Sequence, residues 1–193
     1  MDTLVRKAVE SDRFDIALCI AEAFKREFIA LSKDSKVIAN AIKDGLLIEK
    51  FFVAIVDDKV AGTIAVTDSS QRATDVSSMK LYKNLGIIKG FFANSILKEE
   101  FESPLDFPTT TGYIEFVAVK EKFRGAGISS LMLENAIKST NYENYALDVT
   151  DVNHVAIKIY EKFGFEEFKR IPVKRFAKQK GFNAKIYMRL NRN

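Results

Sequence analysis

Residues 117–137, "VAVKEKFRGAGISSLMLENAI", change character midway. A β-rich run passes Arg124, Gly125, Ala126 and Gly127, then becomes an apolar pattern of helical spacing at Ile128, Leu131, Met132, Ala136 and Ile137. Glycines at such a junction let the backbone turn sharply and present the unpaired N–H groups of a helix start, where the helix dipole adds partial positive charge. Arg124 contributes a full charge, and Ser129 and Ser130 contribute hydroxyls in the first turn. The chemistry this suits is phosphate binding. A turn kept for steric reasons alone would use the same glycines. No Lys-Ser/Thr pair follows, as a P-loop requires, and the loop lacks the GxGxxG form and first-strand position of a dinucleotide fold.

A second group lies in "LDVTDVNHVAIKIYEKFGF". Asn153 and Tyr160 are seven residues apart, almost two helical turns, and so share a face on which Ala156 leaves room for a ligand. A molecule strung along that face meets an amide and then a phenol. Separately, Asn153 suits a helix cap and Tyr160 an amphipathic edge.

The elements that must position these groups follow from periodicity. "LVRKAV" reads as a strand, with Ser11 or Asp12 capping a helix that buries Ala17, Ile20, Ala21, Phe24 and Phe28 and leaves Cys19 near its apolar edge. A helix over about 35–47 precedes "FFVAIVDDKVAGTIAV", a hairpin turning at Asp57 and Asp58. Residues 70–110 form a helical insertion, two pieces broken near Gly86, and residues 77–101 are either extra core or a cover over the site. "YIEFVAV" is a central strand; a helix, the strand "YALDV" and a helix with Val152, Val155, Ala156, Ile159 and Phe163 as its core face come next. That helix stops at Gly164, with Phe165 closing back on it, before two final strands. The whole is a mixed α/β chain, residues 1–193 as one domain, with a crossover helix between two parallel strands.

Composition narrows the function. Of 193 residues 47% are hydrophobic, no apolar run reaches membrane-spanning length, and "MDTLVRKAVESDRF" lacks a signal peptide's apolar segment, so a cytoplasmic protein without a membrane partner is expected. A single cysteine, Cys19, and a single histidine, His154, argue against a metal site and hydrolase triads. The +4 charge permits anionic ligands without marking a nucleic-acid binder.

The two quoted segments resemble the GNAT family of acyl-CoA-dependent N-acyltransferases. "VAVKEKFRGAGISSLML" is similar to its R/Q-x-x-G-x-G/A signature at Arg124 and Gly127, with Ser129 at the third small position and Glu121 where a proline is usual. "NHVAIKIYEKFGF" is similar to N-x-x-A-x-x-x-Y-x-x-x-G-F. Neither departure removes a backbone N–H. The resemblance implies a mostly antiparallel sheet whose central parallel pair splays around acetyl-CoA. It assigns the pyrophosphate to backbone N–H groups of Arg124, Gly125, Ala126, Gly127, Ile128, Ser129 and Ser130, and the pantetheine arm to the edge of Phe116, Val117, Ala118 and Val119 and to Asn153. Tyr160 would protonate the departing thiolate, and an N–H near Val117 would polarise the thioester carbonyl. The amine acceptor would attack directly, without a covalent enzyme intermediate.

An alkyl ammonium of pKa about 10 must lose its proton first, at a cost near 4 kcal/mol at neutral pH. Asp148, on the strand where some family members carry a carboxylate base, and Glu115, expected in phase with Val117 and Val119, are the candidates. His154, at a helix start, reads as a surface residue. Two other readings stay open: an acyl-CoA sensor without turnover, and nucleic-acid association through basic residues such as Lys174, Arg175 and Lys178, the weaker of the two for want of a stacking platform. Acceptor identity and assembly, a homodimer included, are not fixed by spacing.

Overall fold

The computed structural model describes residues 2–173 and 181–192. Strands β1 (Leu4–Lys7), β2 (Phe51–Val56), β3 (Lys59–Thr67), β4 (Thr111–Val119), β5 (Asn144–Thr150), β6 (Glu166–Pro172) and β7 (Ala184–Asn191) form one sheet in the order β1-β2-β3-β4-β5-β7-β6. Among the described strands only β4 and β5 run parallel; the other neighbours are antiparallel. The hairpin joining β2 to β3 turns at Asp57 and Asp58, both at positive φ (48° and 58°), as a two-residue hairpin turn demands. No described helix is long and apolar enough to cross a membrane.

The helices are α1 (Arg13–Ala23), α2 (Lys25–Phe28), α3 (Ser35–Ile42), α4 (Leu81–Leu85), α5 (Ile87–Phe101), α6 (Ile128–Ser139) and α7 (His154–Lys162). Two apolar clusters cover the two faces of the sheet. One gathers Ile16, Ile20, Ile38, Leu81, Ala93, Leu97 and Phe116, from α1, α3, α4, α5 and β4. The other packs Met132, Leu133 and Tyr160, from α6 and α7, on Ile64, Ile114, Leu147 and Ile186.

Several expectations change in detail. Cys19 is fully buried, not at the helix edge, and burial pushes its thiol up to about 12. A neutral, buried thiol is no nucleophile. Neither Ser11 nor Asp12 caps α1: a 3-10 turn over Glu10–Asp12 intervenes, and the Asp12 carboxylate accepts from the Val9 N–H and pairs with Arg6 at 2.6 Å. Val152 and Val155 are exposed, because α7 begins only at His154 and rolls Tyr160 inward, leaving Ala156, Ile157, Ile159 and Phe163 half-buried. Gly164, at φ 88°, and Phe165 end that helix as expected: their N–H groups reach the Glu161 and Tyr160 carbonyls, and Phe165 is buried.

The insertion divides along its own length. Ala93 and Leu97 enter the core and Phe101 packs on Phe116, with ring centroids 5.0 Å apart, whereas Ile87, Ile88, Phe91 and Phe92 face solvent.

Candidate active site

The parallel pair holds for four residues only. Thr111–Ile114 register with Asn144–Leu147, and beyond Ile114 and Leu147 the ladder between β4 and β5 stops. The ends of both strands, Glu115–Val119 and Asp148–Thr150, therefore flank an opening in the sheet. A bulge sets the shape of the β4 side. Ala65 pairs with Glu115 and Thr63 with Ala118, so Phe116 and Val117 together oppose Ile64. Phe116 sits at φ 52°, a left-handed conformation that costs a bulky residue on the order of 1–3 kcal/mol. Its ring is held by Phe24, Phe51 and Phe101.

This bulge corrects the expected phase of β4. Glu115 and Phe116 both turn toward the face that carries α1 and α5, while Val117 and Val119 pack on the α6 face. Glu115 therefore does not alternate in phase with Val117 and Val119.

Below the opening, α6 starts at Gly127 (φ 75°, ψ 6°), with Gly125 at φ 80° before it. A side chain on either glycine would force this left-handed backbone into strain; at Gly127 the space beside the α-carbon is empty, so conformation is the constraint there. Arg124, Gly125, Ala126 and Gly127 are exposed, Ile128 is buried, and Ser129 and Ser130 are half-buried. The Arg124 guanidinium donates to the Val119 carbonyl at 3.2 Å, tying the loop to the end of β4. The first-turn amides of α6 lack intrahelical acceptors.

The third wall is α7. Asn153 caps it, its side-chain oxygen accepting from the Ala156 N–H at 3.2 Å, so the group Asn153 can offer a ligand is its NH2. Exposure falls along the helix from Asn153 through half-buried Ala156 and Ile157 to Tyr160, which is 7% exposed. Burial, with the nearby Asp148 charge, holds the Tyr160 phenol well above its ordinary pKa, so it carries a proton throughout the neutral range. His154 is exposed at the helix start.

The two carboxylates have different surroundings. Glu115 is buried, paired with Arg72 through Nη2 at 2.7 Å and Nε at 3.0 Å, and accepts from the Thr67 hydroxyl at 2.7 Å. Asp148 is half-buried, accepts from the Tyr113 hydroxyl, and lies 3.5 Å from the Lys185 ammonium. Burial first, then Asp148, pushes the Tyr113 hydroxyl far up. Burial pulls the Lys185 ammonium down, but Asp148 and Glu100 outweigh it and the net shift is upward, so Lys185 stays charged.

Arg72, Tyr113, Lys185 and Glu100 were not singled out in the sequence. Tyr113 carried a usable signal, since it stands two residues before Glu115 and so on the same side of a strand. Arg72 lies in a polar loop with no periodicity to mark it. Lys174, Arg175 and Lys178 lie outside the described residues.

The structure has a strand end freed from its parallel neighbour, a helix that starts at a glycine, and a buried phenol near a carboxylate. Residues 19–165 match the acetyltransferase (GNAT) family, and the chain belongs to that family. The cosubstrate of that family is acetyl-CoA. Over 62 residues it is 39% identical to an N-alpha-acetyltransferase of Sulfolobus acidocaldarius, covering 30% of this chain and 37% of that protein. Over 123 residues it is 31% identical to an N-alpha-acetyltransferase of Saccharolobus solfataricus, covering 62% of this chain and 58% of that one. The chain thus aligns with less than two thirds of either relative. Among solved structures, an N-acetyltransferase from Staphylococcus aureus superposes with a TM-score of 0.69 at 22% identity, over 97% of this chain and 100% of that one. A chain of the NatC complex bound to Gag peptide and CoA superposes at 0.57 and 15% identity, over 100% of each. At these identities the structures speak for the fold.

Proposed function

We propose that residues 1–193 act as one domain that transfers the acetyl group of acetyl-CoA to a primary amine by direct attack in a ternary complex, with polypeptide N-termini as the acceptor class. The observation that carries this reading is the opening between β4 and β5, with Gly127 and Tyr160 on its walls. The loop Arg124–Ser130 would take the pyrophosphate on its N–H groups, and the β4 edge at Phe116–Val119, with the Asn153 NH2, would take the pantetheine amides. The bulge supports a role for the Val117 N–H at the thioester carbonyl, where negative charge develops during attack. Tyr160 carries a proton at neutral pH and would give it to the departing thiolate as charge builds on the sulfur. The N-alpha-acetyltransferase relatives support an α-amine acceptor.

Asp148 is the better placed base. Glu115 spends its oxygens on Arg72 and Thr67, while Asp148 is the more exposed and stands beside the opening. Asp148, directly or through a water, would take the ammonium proton, with the Tyr113 hydroxyl fixing the carboxylate. Asp148→Asn keeps the shape and removes the base; kcat should fall by roughly 10²–10⁴-fold, and the loss should narrow as pH rises and the free amine becomes common. A variant rate that follows the wild-type pH profile at every point would argue against a base at Asp148.

The reading as a whole is tested by thiol release from acetyl-CoA with three peptides: one with a free N-terminus, the same peptide N-terminally blocked, and a blocked peptide containing lysine. Release with the first alone is the expected result. Release with the lysine peptide alone would move the acceptor to side-chain amines, and release with none would defeat the proposal.

A further inference from the structure

The insertion helix α5 ends at the candidate base. Glu100, in its last turn, forms an ion pair with Lys185, whose ammonium is 3.5 Å from Asp148. Steps of four residues back from Glu100 reach Ile96, Phe92 and Ile88, a stripe along one flank of the helix. On this flank, at the far end, the Lys89 ammonium donates to the Leu31 carbonyl at 2.9 Å, just after α2. The flank is thus fixed between the segment after α2 and the start of β7. The helix cannot roll to hide the stripe, because Ala93 and Leu97 are locked into the core and Gly90 lies so close to Tyr82 that an added methyl would meet it at 2.9 Å.

The stripe is nonetheless open. Ile88, Phe92 and Ile96 are 74%, 58% and 48% exposed, a gradient that falls toward Glu100 and the site. Apolar surface that leads along a fixed wall to a reacting carboxylate is suited to the substrate that carries the reacting amine.

Resting on the N-terminal acetyl transfer proposed above, we propose that this flank of α5 is the acceptor wall and that it selects polypeptides with an apolar side chain shortly after the reacting amine. At about 1.5 Å per helical residue, Glu100 to Phe92 spans roughly 12 Å, the length of three to four extended residues. With the reacting residue at Glu100, Ile96 and Phe92 therefore stand opposite about the third and the fourth to fifth residues of an extended acceptor. Phe92 and Ile96 are specificity-determining residues on this account, and the selection acts on binding.

The test compares two free-N-terminal peptides that differ only at residues two to five, all Leu or all Ser, with acetyl-CoA saturating. Wild type should favour the Leu peptide in kcat/KM by about tenfold or more, chiefly through KM. Phe92→Ser/Ile96→Ser should bring the ratio close to one. Ile87→Ser, on the other flank and 81% exposed, should leave the ratio as in wild type and serves as the control for loss of an exposed apolar group. Equal use of both peptides by wild type, an undiminished ratio in the double variant, or an equal loss in Ile87→Ser would each overturn the inference while leaving acetyl transfer standing. Absence of turnover with either peptide would overturn the transfer reading and this inference with it.

Discussion

Tyr160→Phe is expected to lower kcat by roughly 10²–10⁴-fold, the usual worth of a placed general acid, while acetyl-CoA still binds. The substitution isolates the hydroxyl. The Tyr160 ring packs in the α6–α7 core and lies 6.0 Å from Phe165, contacts that a phenylalanine reproduces. A phenol already carries its proton at neutral pH, and burial, then the Asp148 charge, raises its pKa further, so the proton is present and is drawn off only as negative charge builds on the thiolate. The loss should shrink with an acetyl thioester of an aromatic thiol, which leaves without needing a proton. Steady-state rates with both donors check this. A variant with wild-type kcat would reduce Tyr160 to a packing residue.

The second large effect is on stability. Arg72→Ala removes both guanidinium contacts from Glu115, whose side chain is 4% exposed, leaving the Thr67 hydroxyl as its remaining partner. A buried carboxylate stripped of its cation typically costs about 3–5 kcal/mol. For a chain of this size that is a fall in Tm of about 6–20 °C. Arg72→Ala/Glu115→Gln, which also removes the orphaned charge, should recover much of the loss. Thermal unfolding of the wild type, both single variants and the double variant gives the coupling. Independent, additive effects would show that the ion pair does not hold this wall of the site.

Much of this arrangement was readable in the chain because local rules and the tertiary structure agree. The Asp57–Asp58 hairpin, the break at Gly86, the glycine start of α6 and the Gly164 stop of α7 are backbone requirements written in single residues. Asn153 and Tyr160 were recoverable because helical spacing alone puts them on one face. The errors arise where long-range packing overrides a local pattern. A strand pattern predicts strict alternation, which puts Glu115 in phase with Val117; the Phe116 bulge, held by rings from three other segments, breaks it. Val152 and Val155 fit a helical apolar stripe, yet the helix starts too late and is rolled too far to bury them. Arg72 joins Glu115 across 43 positions of sequence, a pairing that no local period encodes. The apolar stripe on α5 was visible as hydrophobic residues, but which of them stay exposed depends on where Ala93 and Leu97 dock.

Everything proposed for the site depends on acetyl-CoA entering between β4 and β5 over the start of α6. Calorimetric titration of acetyl-CoA into wild type and into Gly127→Trp tests this most directly. The indole would be placed at a left-handed position in the open space before the first-turn amides. Saturable binding to wild type, lost or weakened by at least about a hundredfold in a variant whose thermal unfolding still shows a cooperative transition, is the predicted result. Wild-type protein that takes up no acetyl-CoA, or a folded variant that binds it as tightly as wild type, would contradict the account.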